Sequence, residues 1–403
     1  MSSVFGSNLN DIRMKNRALI LKLVATENRV SRVDLSRKTG LTKTTASKIV
    51  SDLIDEGIIC ETHVDTVENS VGRKPIYLGI SKRSPLVCGL LIKRGLCSAI
   101  IADYKGNILS HQDYEYNYNL TSDRLVEILL ELYSKLVTPP NRKVIAIGIS
   151  SVGPIDTTLN QLANPPNFYG ISNLPLPEIL SRETGLPAFI INDANAGALA
   201  ENVYGRAKGK GNLIYVHIMG GIGAGYILKN QIYDGTSGKS GEIGHTSINF
   251  SGPFCACGNV GCLEMYANME NVNSKINHMK QIYNVRSILP DTGKPYTWRE
   301  VVDAAEASDF YAISALDEFC NYLSYALANA INLMDIQHVI VGYDSSPKET
   351  TVKKMLYKKL NSRTLTANHQ EVSVEKSVFG GNAPLLGAVA LITAQLFNGI
   401  WEF

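Results

Sequence analysis

The tightest constraint on this chain is a cluster of thiols. Cys255, Cys257 and Cys262 fall within eight residues, and His245 stands ten residues before the first of them. One imidazole and three thiolates make a closed tetrahedral set for a structural Zn²⁺, with no open position for a catalytic water. Gly258 and Gly261 leave the chain free to wrap tightly around an ion. Whatever fold the chain adopts must therefore bring residue 245 and the 255–262 loop to one point. The competing reading is three buried free cysteines packing as small hydrophobes. The spacing, with glycines in between, favours the metal. The full count of seven cysteines is odd, which argues for a reducing compartment and against a secreted disulfide frame.

The 403 residues suit two to four domains, or a small module joined to a larger body. A hydrophobic share of 45% against 19% charged is enough to build a sizeable core. The net charge is only +2, but it is unevenly placed. Residues 1–85 hold 14 Lys and Arg against 9 Asp and Glu, and the remainder holds 25 against 28. A basic end on an acidic body points to an anionic partner for that end alone. Met1 to Asn16 is polar, with no signal-peptide core. The longest greasy stretch, Leu385 to Phe397, is interrupted by Thr393 and Gln395 and falls short of the ~20 apolar residues of a membrane helix. The expectation is a soluble, cytoplasmic protein without a membrane partner.

The basic end has its own pattern. Leu19, Ile20, Leu23 and Val24 recur at helical spacing, a short helix follows at Val33–Thr39, and Gly40-Leu41 makes a turn. Thr42 is a good N-cap for a third helix, Lys43–Glu56. Ala46, Ile49, Val50, Leu53 and Ile54 form its apolar stripe, and Lys43, Thr44, Ser47, Lys48 and Ser51 lie opposite. A short, basic, polar face of this kind can reach base edges and phosphates in a major groove. Helix, short helix, glycine turn and helix is the helix-turn-helix order. Two strand-like runs then flank the tip Val71-Gly72-Arg73-Lys74-Pro75, as in a wing. Double-stranded DNA is the expected partner. Lys43, Thr44, Thr45, Ser47 and Lys48 are the candidate contacts from the helix, and Arg73 and Lys74 those from the wing, in a minor groove or on its phosphates. A small helical protein-interaction domain with a solvated charged face is the alternative. The module is expected to span 1–84.

From 85 to 403, strands and helices alternate, the pattern of an α/β body with mixed sheets. Three motifs occur in order: Asn192-Asp193-Ala194-Asn195-Ala196, then Gly241-Glu242-Ile243-Gly244-His245, then Cys255 through Cys262 running on to Glu264. Together they resemble the ROK family of sugar kinases and sugar-responsive repressors, over nearly the whole chain. The N-terminal module points to the repressor branch, which includes repressors of xylose, glucose and amino-sugar genes. The resemblance implies a two-lobed, actin- or hexokinase-like (ribonuclease H-like) body that binds sugar and forms oligomers. It also implies zinc held by His245, Cys255, Cys257 and Cys262, within a motif spanning 245–262. Asn192, Asp193, Glu242, His245 and Glu264 would contact a monosaccharide, His245 using one ring nitrogen for sugar and the other for zinc. Read without the family, Asp193 serves equally well as a helix cap and the glutamates as surface charges.

Asp193 matches the general base of the family's kinases, so catalysis has to be weighed. The kinases carry Asp-x-Gly-Gly-Thr on their first strand, where this chain reads Leu91-Ile92-Lys93-Arg94-Gly95. Leu91 replaces the Asp, and Lys93 and Arg94 replace both glycines, so the backbone N–H groups cannot cradle phosphate. A second phosphate turn reads Gly220-Gly221 instead of Thr-Gly, and a later Gly-Gly reads Gly342-Tyr343-Asp344. The expectation is a regulator without an enzymatic activity. In it, sugar binding near Asp193 closes two lobes and shifts the DNA modules of a homodimer or homotetramer away from operator half-sites about 34–36 Å apart. An ATP-dependent sugar kinase with an attached DNA-binding module is the alternative. The sugar, and whether it releases or strengthens DNA binding, stay open.

Overall fold

A computed structural model describes residues 8–27, 29–62, 75–117, 120–365 and 370–400. The wing tip, with Arg73 and Lys74, lies outside the described residues. Two compact units emerge: Met1–Ser151 with Asn160–Ile191 and Ala388–Phe403, and Val152–Leu159 with Asn192–Gly387.

The first unit opens with the head: α1 (Leu9–Thr26), β1 (Val30–Ser31), α2 (Arg32–Thr39), α3 (Lys43–Asp55), β2 (Ile59–Thr62) and β3 (Tyr77–Ile80). β3 lies between β1 and β2, antiparallel to both. Gly40 ends α2 in the left-handed region at φ 71°, a conformation that glycine adopts without strain. Thr42 caps α3 by accepting the Thr45 N–H at 3.1 Å. Ala46, Ile49, Val50 and Leu53 are buried, as the stripe requires, and Ile54 is half-buried. Arg32 donates to the Ser47 carbonyl and to Ser51 Oγ, and pairs with Glu61 at 3.2 Å, tying α2, α3 and β2 together.

The head is followed by β4 (Leu86–Lys93), β5 (Leu96–Ala102), β6 (Ile108–Glu115), α4 (Ser122–Lys135), β7 (Val144–Ser151), the short β8 (Ile155–Asp156) and β9 (Gln161–Leu162), α5 (Leu176–Thr184) and β10 (Ala188–Asn192). The sheet order is β10-β7-β4-β5-β6. β4, β5 and β6 form an antiparallel meander, and β4 pairs parallel with β7. β4 is buried along almost its whole length, as a central strand covered on both faces must be. Helix α4 turns Leu125, Ile128, Leu129 and Leu132 inward at helical spacing.

The second unit repeats this plan. Its elements are α6 (Asp193–Val203), β11 (Leu213–Ile218), β12 (Ile222–Leu228), β13 (Gln231–Ile232), α7 (Met269–Ile282), α8 (Trp298–Glu306), α9 (Phe310–Met334), β14 (His338–Gly342), α10 (Thr351–Asn361) and β15 (Ser373–Lys376), and α11 (Ala383–Phe397) starts here. The order β13-β12-β11-β14-β15 again joins an antiparallel meander to parallel strands. Its core gathers β11, β12, β14 and the buried faces of α7, α8, α9 and α10. The stretch Gly380–Phe397 is apolar enough to cross a membrane, but 67% of it is buried within protein, which makes it a core helix.

Helix α6 is made almost entirely of small residues, and Ala194 through Glu201 are buried. Its neighbours approach at backbone distance. A β-carbon on Gly225 of β12 would stand 2.5 Å from the Ala194 carbonyl oxygen and 2.7 Å from the Ala198 methyl. The Gly220-Gly221 turn leads directly into β12, whose Gly225 is there for this contact. Gly225→Ala should lower stability by about 1–3 kcal/mol through overpacking. A guanidinium midpoint equal to that of the natural chain would show that α6 and β12 do not pack this closely.

Candidate metal centre, ligand site and DNA interface

The metal cluster forms from two short stretches that the backbone stitches together. Ser247 pairs with Cys262, and Phe254 with Val260, as isolated antiparallel bridges. The Leu263 N–H donates to the Thr246 carbonyl at 2.9 Å, and Cys255 N–H to the Asn259 carbonyl at 2.8 Å. Gly258 and Gly261 sit at φ 91° and 66°, the left-handed turns that fold the loop back on itself. The ligand atoms of His245, Cys255, Cys257 and Cys262 all fall within 4.8 Å of one another. Cys257 Sγ lies 3.6 Å from Cys262 Sγ, and Cys255 Sγ lies 3.7 Å from His245 Nδ1. Thiolates bound to a tetrahedral ion through bonds of ~2.3 Å stand about 3.7 Å apart. The four residues fit a metal ion. In the free chain, burial and the neighbouring thiols push the Cys262 thiol up to about 12, whereas the exposed Cys257 is lowered, first by a backbone N–H of Asn259.

His245 faces two ways. Nδ1 turns to the thiols, and Nε2 lies 3.8 Å from Glu264 Oε2, beyond direct hydrogen-bond reach. Glu264 is fixed at its other oxygen, which accepts the Ile222 N–H at 3.1 Å. A β-carbon on Gly221 would stand 2.5 Å from that oxygen, so the Gly220-Gly221 turn leaves space for the carboxylate.

The remaining candidates converge on the same neighbourhood. Asn192 caps α6, its Oδ1 accepting the N–H groups of Ala194 at 2.9 Å and Asn195 at 3.4 Å. Asp193 Oδ1 also accepts the Ala194 N–H, at 2.8 Å. The N-cap is therefore Asn192, one residue before the Asp193 that the helix-cap reading named. Asn192 Nδ2 lies over Gly153, where a β-carbon would stand 2.4 Å from it and 3.8 Å from Glu242 Oε1. Crowding by protein raises the pKa of Glu242. Asp193 and Glu264 raise it further, while His245 and Lys239 oppose them. Glu242 is exposed to solvent. Asp193, His245 and Glu264 thus all act on Glu242, although the four are spread over 71 residues of sequence.

Three contributors were not singled out from the sequence. Gly153 makes room for the Asn192 amide. Asn195 is 2% exposed, donates to Asp234 at 3.4 Å, and its Oδ1 finds no donor among the described residues. Lys239 supplies the positive charge opposite Glu242. Asn195 stood inside a quoted motif, but only the fold shows that it ties α6 to the loop preceding Glu242.

On α3, Lys43, Thr44, Thr45 and Lys48 are exposed and Ser47 is half-buried. Thr45 Oγ1 lies 2.9 Å from the capping Thr42 hydroxyl. On β4, Leu91 is buried and so cannot act as a polar ligand. At the turn after β4, Arg94 Nη2 donates to the Pro166 carbonyl at 2.7 Å and Nε to that of Asn167 at 3.4 Å, while Tyr116 Oη donates to the Lys93 carbonyl.

Similarity to known proteins agrees with these features. The ROK family profile matches residues 94–395, and a winged helix-turn-helix DNA-binding profile matches residues 15–59. The xylose repressor of Bacillus spizizenii is 31% identical over 390 residues, covering 96% of this chain and 97% of that one. The crystal structure of a ROK family transcriptional regulator, a homologue of the E. coli Mlc protein, superposes with a TM-score of 0.77 at 26% identity, covering 97% of this chain and 98% of that chain. A ROK glucokinase from Streptomyces griseus, solved with glucose and AMPPNP, gives 0.67 at 25% identity and covers 98% of itself but 76% of this chain.

If the cluster holds an ion, elemental analysis should find about one metal per purified chain, with protons released on loading. Cys257→Ser should remove it and lower the thermal midpoint. A metal-free chain with the same midpoint would rule out a structural ion. With an actin- or hexokinase-like body matched over three quarters of the chain and a winged helix-turn-helix ahead of it, the chain belongs to the ROK family, in the form that carries a DNA-binding module.

Proposed function

We propose that this protein is a sugar-responsive transcriptional regulator, a repressor of carbohydrate genes whose operator binding is set by a monosaccharide. The observation that carries the reading is a division of fates within one ROK body: the residues for sugar are gathered, and those for nucleotide are spent on structure. Asn192, Asp193, Glu242, His245 and Glu264 supply mixed donors and acceptors around one neighbourhood, as sugar hydroxyls require. On the phosphate side, Leu91 is buried and Arg94 is engaged by the 166–167 backbone. Tyr343, in place of a glycine, is wholly buried and donates to Glu349 at 2.6 Å, and Asp344 pairs with Arg299 at 2.8 Å. A side chain built into the core there leaves no bare backbone for a nucleotide. The xylose repressor named above and the Mlc-like regulator support the choice over a kinase.

In this reading α3 lies in the major groove, with Lys43, Thr44, Thr45, Ser47 and Lys48 as contacts, and Arg73 and Lys74 serve the minor groove. Zn²⁺ on His245, Cys255, Cys257 and Cys262 has a structural role, holding both stretches that carry Glu242 and Glu264. The protein works in the cytoplasm as a homodimer or homotetramer. D-Xylose is the first sugar to try.

Purified protein should bind its own promoter region with a steep salt dependence. Lys48→Ala should flatten the log–log slope by about 0.9 if that lysine neutralises a phosphate. Absence of salt-sensitive binding defeats the proposal. A coupled assay with ATP and a sugar panel should give no turnover, and turnover abolished by Asp193→Asn would instead establish the kinase.

Sugar affinity should also depend on pH. Glu242 accepts from a hydroxyl most strongly while ionised, and its pKa is raised. Affinity should therefore be full at neutral pH and fall as the pH drops through that raised value, beginning above the usual glutamate range. Calorimetric titrations of Glu242→Gln should show weaker binding with this acid limb flattened. An unchanged acid limb would assign it to another group.

A further inference from the structure

We propose that the second unit carries a second ligand site, a cavity lined by the stretch that bears Glu242 and His245 but not by those two side chains, which takes a small organic anion with an aromatic or apolar body and opposes sugar binding. The site stands without the functional reading above; its effect on sugar rests on that reading.

The cavity measures about 540 Å³, and its whole lining belongs to the second unit. Small-molecule pockets run from roughly 300 to 1,000 Å³. One wall is a stripe of α9: Ala326, Ala330 and Leu333 recur at helical spacing, and the two alanines leave the hollow. Opposite stand Tyr226 of β12 and the loop after β13. β12 pins that loop at two points. The Tyr233 N–H donates to the Tyr226 carbonyl at 2.9 Å, and the Ala224 N–H to the Gly241 carbonyl at 2.8 Å. Gly241, at φ 90°, comes so close that a β-carbon on it would stand 1.8 Å from the Ala224 carbonyl oxygen. Between these points Ser240 Oγ donates to the Tyr233 carbonyl. The hollow is thus held open by backbone bonds before any ligand arrives.

The lining defines the ligand. The α9 wall and Ile243 offer methyl and methylene groups, and Tyr226 and Tyr233 add aromatic rings. Among the described residues of the lining, Lys239 is the one cation and there is no carboxylate. Lys239 is exposed and makes no ion pair among the described residues. Thr236 and Ser237, exposed in the same loop, supply hydroxyl donors. A free cation with hydroxyls beside apolar walls selects an anion on an apolar body. The same short stretch serves both sites. Gly241, Ile243 and Thr246 line the cavity, and Glu242 and His245 are interleaved with them. The charge of Lys239 also acts on Glu242, where it favours the carboxylate. An anion seated on Lys239 offsets that charge, so each ligand weakens the other.

The probe is anilinonaphthalenesulfonate, an aromatic anion whose fluorescence reports its binding to the full chain. Ala330→Trp, which fills the hollow, should weaken that binding by about tenfold or more, and so should Lys239→Met. Leu333→Glu, a change at an exposed position, should weaken it by about fivefold and guards against an Ala330→Trp chain that does not fold. The uncharged N-phenylnaphthylamine should bind the natural chain about tenfold less tightly than the anion. At saturating probe, the Kd of whichever of D-xylose, D-glucose or N-acetylglucosamine raises the thermal midpoint should rise by about threefold or more, and the rise should vanish in the α9 variants. Probe binding that survives both α9 variants, or a neutral analogue held as tightly as the anion, overturns the site. A Leu333→Glu chain with an altered oligomeric state by light scattering also overturns it, because this face would then join copies of the chain. Probe binding that leaves sugar affinity unchanged overturns the opposition between the ligands. If none of the three sugars binds, the functional reading fails and the opposition with it, while the site still stands or falls on the probe.

Discussion

The approach of backbones around α6 is the constraint on which the second unit depends. A helix of ordinary side chains keeps its neighbours about 8–10 Å away from its axis. Here alanines on the helix meet glycines on β12 and α11, so the chain comes to van der Waals contact on two sides. The consequence is positional. Asn192 and Asp193 open this helix, and Glu242 follows the loop held to it through Asn195 and Asp234. A helix clamped by backbone fixes the residues at its start without a rigid loop. Tyr215 repeats the arrangement from within: its ring occupies the space that side chains at Gly197 and Gly342 would fill.

Much of this could be read in the sequence, and the reasons for success and failure are physical. The third helix of the head is legible because its apolar residues follow one period without interruption. The cysteine cluster is legible because metal geometry demands close spacing. β12 contains Gly223 and Gly225, which weaken any strand pattern and gain their meaning only from a helix 190-odd residues into the chain. The first helix also begins at Leu9, earlier than its apolar run suggests, because Asn8 and Asp11 form a reciprocal cap that does not depend on hydrophobic spacing. Within the site, the motifs and the resemblance named the candidate residues. Gly153, Asn195 and Lys239 escaped because each acts on a neighbour remote in sequence.

Arg94, Tyr343 and Asp344 each have partners within their own unit. Arg94 satisfies two carbonyls of a loop in which Asn167 and Tyr169 adopt left-handed φ values of 53° and 54°. Such a conformation is costly for a bulky aromatic residue, and the arginine and the Tyr116–Tyr169 ring contact help to hold it. The bulky residues are therefore integrated into the fold, and reverting one to glycine would remove bonds as well as bulk.

The orientation of His245 links the metal centre to the ligand site more closely than proximity alone. A neutral imidazole has one donor and one acceptor nitrogen, and a metal takes the acceptor. With an ion bound at Nδ1 among the thiols, the proton would reside on Nε2, which faces Glu264. An ion in the cluster would thus fix the ring as a donor toward the carboxylate side. At 3.8 Å the Nε2 to Glu264 gap is too wide for a direct bond but spans the width at which one hydroxyl can bridge donor and acceptor. A hydroxyl placed there accepts from His245 and donates to Glu264, whose second oxygen is already held by the Ile222 N–H. An ion there would therefore set the polarity of the neighbouring hydrogen bonds, whereas the free ring could present either tautomer.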